Sequence, residues 1–408
     1  GMHKGPVQDW QPYNPHHPLT GDIGAHPSVL ELDLAGEYQG LSILPYCAPG
    51  YVRYRLRHAW SHRGIGAVAR VQRGSRSALD TPNEINVLAL RRLLEDPNAS
   101  LDAIWSEFLG TRYGAQPGTQ VARVLRQALE DTFAIRLKSH YVLGIWALEK
   151  SSDFPDSLVL DEFNGRGKMP KWDPDWQGIW DKLDVPDRTT VLWLWQEGSE
   201  AVELAAASLG QFGEAAASLE AAAAADLQRR LTHQWLAARA WRAMDLFIWS
   251  HRVKTSEVLI FAERDNWKAW AREELLQVKA EMEAAGLAGV AVASPARIQK
   301  FLDSIPTVEA EPQEPTGLRF SVLRLTPAEG GTWTATFATN EPAQVAVDYG
   351  LEIPDYGFST TVFSPGNGAA VTVPLPDLES DRRYVVRLRS AWDGTEYLGG
   401  DWWLFTRD

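Results

Sequence analysis

Two carboxylates near the start of the chain have the type and setting for acid–base work. Glu37 closes the stretch Val29-Leu30-Glu31-Leu32-Asp33-Leu34-Ala35-Gly36-Glu37-Tyr38-Gln39-Gly40, and Asp9 stands upstream in Gly5-Pro6-Val7-Gln8-Asp9-Trp10. Leu30, Leu32 and Leu34 alternate with Glu31, Asp33 and Ala35, the period-two pattern of a strand with two unlike faces. Gly36 and Gly40 mark where that strand breaks. Glu37 is therefore expected at or just beyond its C-terminal end, the edge at which parallel (β/α)-barrels keep their reactive groups. Two carboxylates on neighbouring strand ends can share one water or one sugar. One can take a proton from the water while the other orients it or stays protonated through like-charge repulsion. Trp10 beside Asp9 and Tyr38 beside Glu37 are the aromatic candidates for lining such a pocket. The simpler reading of Glu37 is a charge that caps the next helix or pairs with Arg53 or Arg55, and that of Asp9 an ordinary surface charge.

These residues resemble the α-glucuronidases of glycoside hydrolase family sixty-seven. That family carries G-P-I-D-F, then P-L-F-G, then a strand ending in Q-E-Y-x-G-Q. This chain has Gly5-Pro6-Val7-Gln8-Asp9-Trp10, then Pro18-Leu19-Thr20-Gly21, then Gly36-Glu37-Tyr38-Gln39-Gly40. The likeness continues through Gly64-Ile65-Gly66-Ala67-Val68-Ala69-Arg70, similar to the family's last barrel strand, and through Pro97-Asn98-Ala99-Ser100-Leu101 to Trp105. It covers about the first 115 residues, with one extra residue ahead of Asp9 and Gly36 where the family has Gln. The resemblance implies a (β/α)-barrel and hydrolysis with inversion, Glu37 or Asp9 serving as base toward a uronic-acid-substituted plant oligosaccharide. It also exposes a gap. A barrel of eight strands needs roughly 200 residues or more, whereas residues 1–75 suffice for its last two or three strands, and the family's general acid has no counterpart here. The expectation is the C-terminal region of a longer enzyme, weak or inactive alone and completed by an upstream barrel segment or a partner chain. The alternative is a non-catalytic carbohydrate-binding or scaffold protein.

Composition narrows the choice. The net charge of −13 leaves no extended basic surface for phosphates, which argues against nucleic acid. No run of eighteen apolar residues occurs, so no membrane partner is expected. The N-terminus carries no hydrophobic leader, which favours a cytoplasmic location unless an upstream segment directs secretion. Cys47 is the single cysteine, and its apolar neighbours suggest a buried thiol. His16, His17 and His26 sit among Pro15, Pro18 and Pro27, a polar loop rather than a zinc site. No metal and no cofactor is expected. Gly165-Arg166-Gly167-Lys168 lacks the ending of a phosphate loop and reads as a surface turn.

The pattern turns helical across residues 76–305. Thr81-Pro82-Asn83-Glu84 reads as a capping box, Ser100 as the cap of a helix carrying Ile104, Trp105 and Phe108, and Val121 to Leu148 as one long amphipathic helix. Asp173-Pro174 starts another with Trp176 and Trp180 inward, and helices follow at about 188–222, 225–253 and 265–285, a bundle of about six. His140 and His233 fall within helices and read as packed histidines. Residues 306–316 are acidic and Pro-rich, the composition of a linker. In 317–408 seven short strands are expected at Phe320–Leu323, Trp333–Phe337, Gln344–Val347, Thr361–Phe363, Ala370–Val373, Tyr384–Leu388 and Trp402–Phe405. The segment Thr334 to Pro342, then Leu378 before Arg383-Tyr384-Val385-Val386, then Phe405-Thr406, resembles a fibronectin type III module. The expected architecture is a multidomain α and β protein: a partial barrel, a helical bundle and an antiparallel β-sandwich.

Overall fold

The computed structural model describes residues 2–6, 11–21, 24, 26–146, 154–158, 176–253, 263–328, 332–351, 356–380 and 382–406. At the N-terminus β1 (Met2–Lys4), β2 (Ser28–Asp33) and β3 (Gly64–Arg70) form a parallel sheet with β2 in the centre, and the short β4 (Gln72–Arg73) and β5 (Arg76–Ser77) follow as an antiparallel hairpin. The alternation of β2 is realised as expected, with Leu30 and Leu32 buried while Val29 and Glu31 are half-exposed. Those leucines join Val52 and Leu56 of α1 (Pro49–Ser61), Ile85 and Leu93 of α2 (Glu84–Glu95), and Trp105 and Phe108 of α3 (Leu101–Tyr113) in one apolar core. A closed barrel is not formed among the described residues. The parallel sheet stops at three strands, and its outer strand β3 leaves Ile65 70% and Val68 44% exposed.

The helical region is built on α4 (Gln120–His140), α5 (Gln177–Asp184), α6 (Arg188–Ala216), α7 (Ala221–Arg252), α8 (Arg264–Ala284) and α9 (Pro295–Ser304). Helix α4 packs along α6, α6 along α7, and α7 along α8. The facing positions hold Leu204, Ala237, Ala240, Trp241, Met244 and Trp249, all fully buried, the alternation of small and large side chains that close helix packing needs. Caps are supplied locally. Ser100 accepts from the amides of Asp102 and Ala103, Asp187 from Thr190, and Ser294 from Arg297.

Two expectations are corrected here. The helix expected from Val121 to Leu148 ends at His140, because the chain turns back on itself: the amides of Val142 and Ile145 each donate to the other's carbonyl at 2.9 Å. Gly144 takes φ +79 in that turn, and a side chain there would run into the Trp176 ring, so apolar periodicity continued past a point where the backbone cannot stay helical. The capping box also closes differently. Thr81 Oγ1 accepts from Asn83 N and Glu84 Oε2 from Asp80 N, and the helix begins at Glu84 itself. The helix start expected at Asp173-Pro174 and the turn at 165–168 lie outside the described residues.

The C-terminal region carries two antiparallel sheets. One has the order β10 (Val371–Leu375), β7 (Trp333–Phe337), β6 (Arg324–Pro327). The other has β12 (Thr395–Leu398), β11 (Arg383–Trp392), β8 (Ala343–Gly350) and β9 (Phe358–Ser364), with β13 (Trp402–Phe405) also paired to β11. Five of the seven expected strands fall within observed ones, and a sixth, Ala370–Val373, overlaps β10. The first instead lies at Arg324–Pro327, while Phe320 makes only a single bridge to Thr339. Tyr384 Oη accepts the amide of Glu379 at 2.9 Å, the side-chain-to-backbone tie that fixes the corner before β11. The sheets seat firmly on the helices. Lys138 Nζ meets Glu200 Oε2 at 2.7 Å, both buried, and the amide of Gly400 in the β12–β13 turn also points to Glu200. Arg324 of β6 grips Asp131 of α4 at 2.7 and 2.8 Å, and Trp403 packs among Tyr13, Tyr51, Tyr54 and Phe133.

Candidate functional site

The end of β2 is organised by Asp33. Its Oδ1 accepts the amide of Ala35 at 3.0 Å and its Oδ2 the amide of Glu37 at 2.9 Å, so one buried carboxylate folds the turn that presents Glu37. Burial pushes the Asp33 carboxyl above its ordinary range, against the pull of Arg73, the turn amides and Arg70. The carbonyl of Arg70 accepts from both Leu34 and Ala35, which ties this end of β2 to the end of β3. Glu37 lies just past the C-terminal edge of the parallel sheet, where its sequence pattern puts it, and its side chain is partly exposed.

The cation that meets Glu37 is Arg73, three residues beyond β3. Its Nη2 contacts Glu37 Oε2 and its Nε lies 3.5 Å from Asp33 Oδ2. Arg53 and Arg55, the partners that sequence reasoning offered, are engaged elsewhere. Arg53 donates to the carbonyl of Thr406. Arg55 is buried and donates to Tyr51 Oη and the carbonyls of Pro12 and Asn14, which pins the segment just downstream of Asp9 and Trp10. Asp9 and Trp10 themselves lie outside the described residues. Tyr38 is buried, with its ring edge-on to Trp146 at 5.8 Å, so it packs behind the loop.

The loop after Glu37 is tightly wound. Gly40 takes φ +102, and a side chain there would meet Leu44 Cβ at 2.8 Å. Leu41 and Ser42 follow at φ 53 and 56, two non-glycine residues in succession in the left-handed region, an arrangement that costs about 1–3 kcal/mol per residue and needs support from its surroundings. Ser42 Oγ donates to the carbonyl of Ala35 at 2.9 Å and Arg230 Nη1 to the carbonyl of Ser42 at 3.0 Å, and the chain just beyond is held by Asn83 and by Asn86 of α2. Asn83 Oδ1 accepts the amide of Tyr46 and Asn86 Oδ1 that of Ala48, each at 2.7 Å, while Asn86 Nδ2 donates to the carbonyl of Tyr46. Sequence reasoning missed Arg73, Asn83 and Asn86. The available signal was two asparagines one helical turn apart on an otherwise apolar helix side.

The other singled-out residues find ordinary places. Cys47 is buried, its thiol pushed up to about 12 by burial. His233 is buried with Nε2 3.0 Å from the carbonyl of Val292, and His140 is enclosed by the rings of Tyr141, Trp146 and Trp241. Trp105, Trp176 and Trp180 are core residues. His16 stacks on His58 at 3.6 Å and His17 on His3 at 5.4 Å. Among the described residues no group of three His, Cys, Asp or Glu converges to hold a metal ion, and no helix is long and apolar enough to cross a membrane.

No protein-family model matches the chain, and no curated protein does. Among solved structures it is similar to a GH138 enzyme targeting pectin rhamnogalacturonan II, at 12% identity and a TM-score of 0.51, over 85% of this chain and 52% of that one. A GH115 4-O-methyl-α-glucuronidase with specificity for decorated arabinogalactans aligns at 10% identity and a TM-score of 0.39, over 99% of this chain and 54% of that one. The chain spans about half the length of these two proteins. At such identity the first likeness is one of fold, and the second superposition is too loose to carry more. The chain thus has a distant structural similarity to glycoside hydrolases.

Proposed function

We propose that the chain is the C-terminal region of a glycoside hydrolase of α-glucuronidase-like type, with Glu37 as the carboxylate that activates water at the anomeric carbon of a uronic-acid-substituted oligosaccharide. The observation that carries this reading is the position of Glu37: partly exposed, just past the C-terminal edge of a parallel sheet, on a strained loop held by buried asparagines. The motif likeness to family sixty-seven and the fold likeness to a GH138 enzyme support it from two directions. Asp9 is assigned the second carboxylate and Trp10 the aromatic wall, both on the motif alone. Arg73 contacts the Glu37 carboxylate and aims it. The uncovered β3 edge supports the expectation that an upstream barrel segment or a partner chain completes the sheet and brings the general acid. Assaying uronic acid release by protein that includes the completing segment, with and without Glu37→Gln, tests the assignment.

A second reading, non-catalytic saccharide binding, is favoured by a cleft of about 410 Å³ between α3, α4 and the C-terminal sheets. Trp333, Trp402 and Trp403 line it together with Arg126 and Asp131, the mixture of indole rings and paired polar groups that suits a sugar. The C-terminal sheets, read as a fibronectin type III-like module, would then serve attachment.

A further inference from the structure

A second cleft, of about 690 Å³, opens between α1 and the corner of the C-terminal sheet around Arg382. Its charge is opposite to that of the whole molecule. Among the described residues Arg53, Arg57, Arg382 and Arg383 line it against one carboxylate, Glu379, in a chain whose net charge is −13. Such a local excess of cations in a concave wall raises the local concentration of anions and repels none of the neutral remainder of a ligand.

The wall is also built to receive more than a bare ion. Arg383 lies over Tyr54 and Trp403, its Cζ 5.1 and 4.8 Å from the ring centres, and its Nη2 donates to the carbonyl of Leu351. The guanidinium is thereby fixed in the wall as a cation that attracts a carboxylate. Beside it runs a column of stacked imidazoles, His16 on His58 at 3.6 Å and His58 on His62 at 4.3 Å. Burial, with His62 and Arg55 adding to it, holds His58 down at about 4, so the His58 imidazole is uncharged at neutral pH and can serve hydroxyl groups as well as donors. Tyr54 and Phe405 complete the lining with apolar ring surface.

We propose that this cleft is a binding subsite for an acidic saccharide, its arginines taking the carboxylates of uronic acid residues and its rings and imidazoles the sugar faces and hydroxyls. The choice of a saccharide over another carboxylate rests on the hydrolase reading above. The cleft shares no lining residue with the Glu37 loop, so the two can be tested apart.

The test is calorimetric titration of the chain with trigalacturonic acid, cellotriose and inorganic phosphate at two salt concentrations. Trigalacturonic acid should bind, weaken as salt rises, and lose at least tenfold in affinity in Arg382→Glu; cellotriose and phosphate should bind at least tenfold more weakly. Arg382 is exposed and paired only with Glu379 among side chains, and His62→Ala provides a second variant that should also weaken binding should the reversal disturb the fold. Absence of trigalacturonate binding, equal affinity for cellotriose or phosphate, or indifference to both substitutions would overturn the proposal. Binding without hydrolysis by any form of the protein would leave this subsite standing and remove the hydrolytic reading. Hydrolysis of a uronate-bearing oligosaccharide at a rate and KM indifferent to Arg382→Glu would do the reverse.

Discussion

Glu37 donates its backbone amide to Asp33 Oδ2 over 2.9 Å while its own carboxylate meets Arg73, whose Nε in turn lies 3.5 Å from Asp33. One arginine therefore faces two carboxylates that differ in duty. Asp33, with no exposed side-chain surface, spends both oxygens on turn amides, whereas Glu37 keeps a solvent face. Under the proposed function, this division leaves shape to Asp33 and chemistry to Glu37.

Removing Arg73 tests that division. Asp33 is already raised by burial, and without Arg73 it should rise further, leaving a buried carboxylate uncompensated. A raised carboxyl binds a proton in the folded state that the unfolded chain has released. Stability is therefore lost as pH climbs from the unfolded value through the folded one. Arg73→Met should cost about 2–4 kcal/mol at pH 7 and distinctly less at pH 4. Denaturant melts at the two pH values measure it, and an equal loss at both would contradict the assignment.

Glu197 offers a larger pH effect away from the loop. It lies buried in α6, accepts the amide of Leu143 at 2.8 Å and is pushed up to about 8, chiefly by burial, with Asp401 adding to it against Leu143 and Lys138. Between about 4.5 and 8 the folded chain keeps a proton there that the unfolded chain gives up, so stability should fall across that window by up to roughly 5 kcal/mol. Glu197→Gln keeps the acceptor and removes the titration. It should be close to neutral at pH 5 and stabilising at pH 8, as read from melting temperatures; a variant no more stable than the parent at pH 8 would contradict this.

How much of this was legible beforehand follows from the range of each interaction. The alternation of β2, the break at Gly36 and the place of Glu37 were readable because they depend on alternation and on glycine within a few residues, whereas β3 was pointed to by the family resemblance. Arg73 was not, because its meeting with Glu37 depends on how β3 ends beside β2, and the nearer candidates Arg53 and Arg55 turn away on α1. Asn86 reads as an ordinary polar helix residue until its contacts with Tyr46 and Ala48 are seen. The end of α4 was missed because Tyr141 and Ile145 continue the apolar spacing for a different reason, burial in a turn. Where the motifs implied the last two or three strands of a barrel, the described residues form a three-stranded parallel sheet.

The uncovered edge of that sheet has a consequence in solution. Ile65 and Val68 expose apolar surface on β3, which among the described residues is paired on one side only, to β2, the arrangement that promotes strand-to-strand association. Sedimentation of the chain should show association that grows with concentration, and Ile65→Lys with Val68→Lys should reduce it with little change in melting temperature. A chain that stays monomeric at all concentrations would count against an open edge.

The most direct measurement of the central claim is uronic acid release from a glucuronic-acid-substituted oligosaccharide, made with the 408-residue chain and with protein that includes the completing barrel segment. The account predicts little or no turnover by the chain alone, release by the completed protein, and a loss of at least a hundredfold in Glu37→Gln with its melting temperature preserved, because the amide keeps the shape and removes the base. Release undiminished in Glu37→Gln, or robust hydrolysis by the 408-residue chain alone, would contradict it.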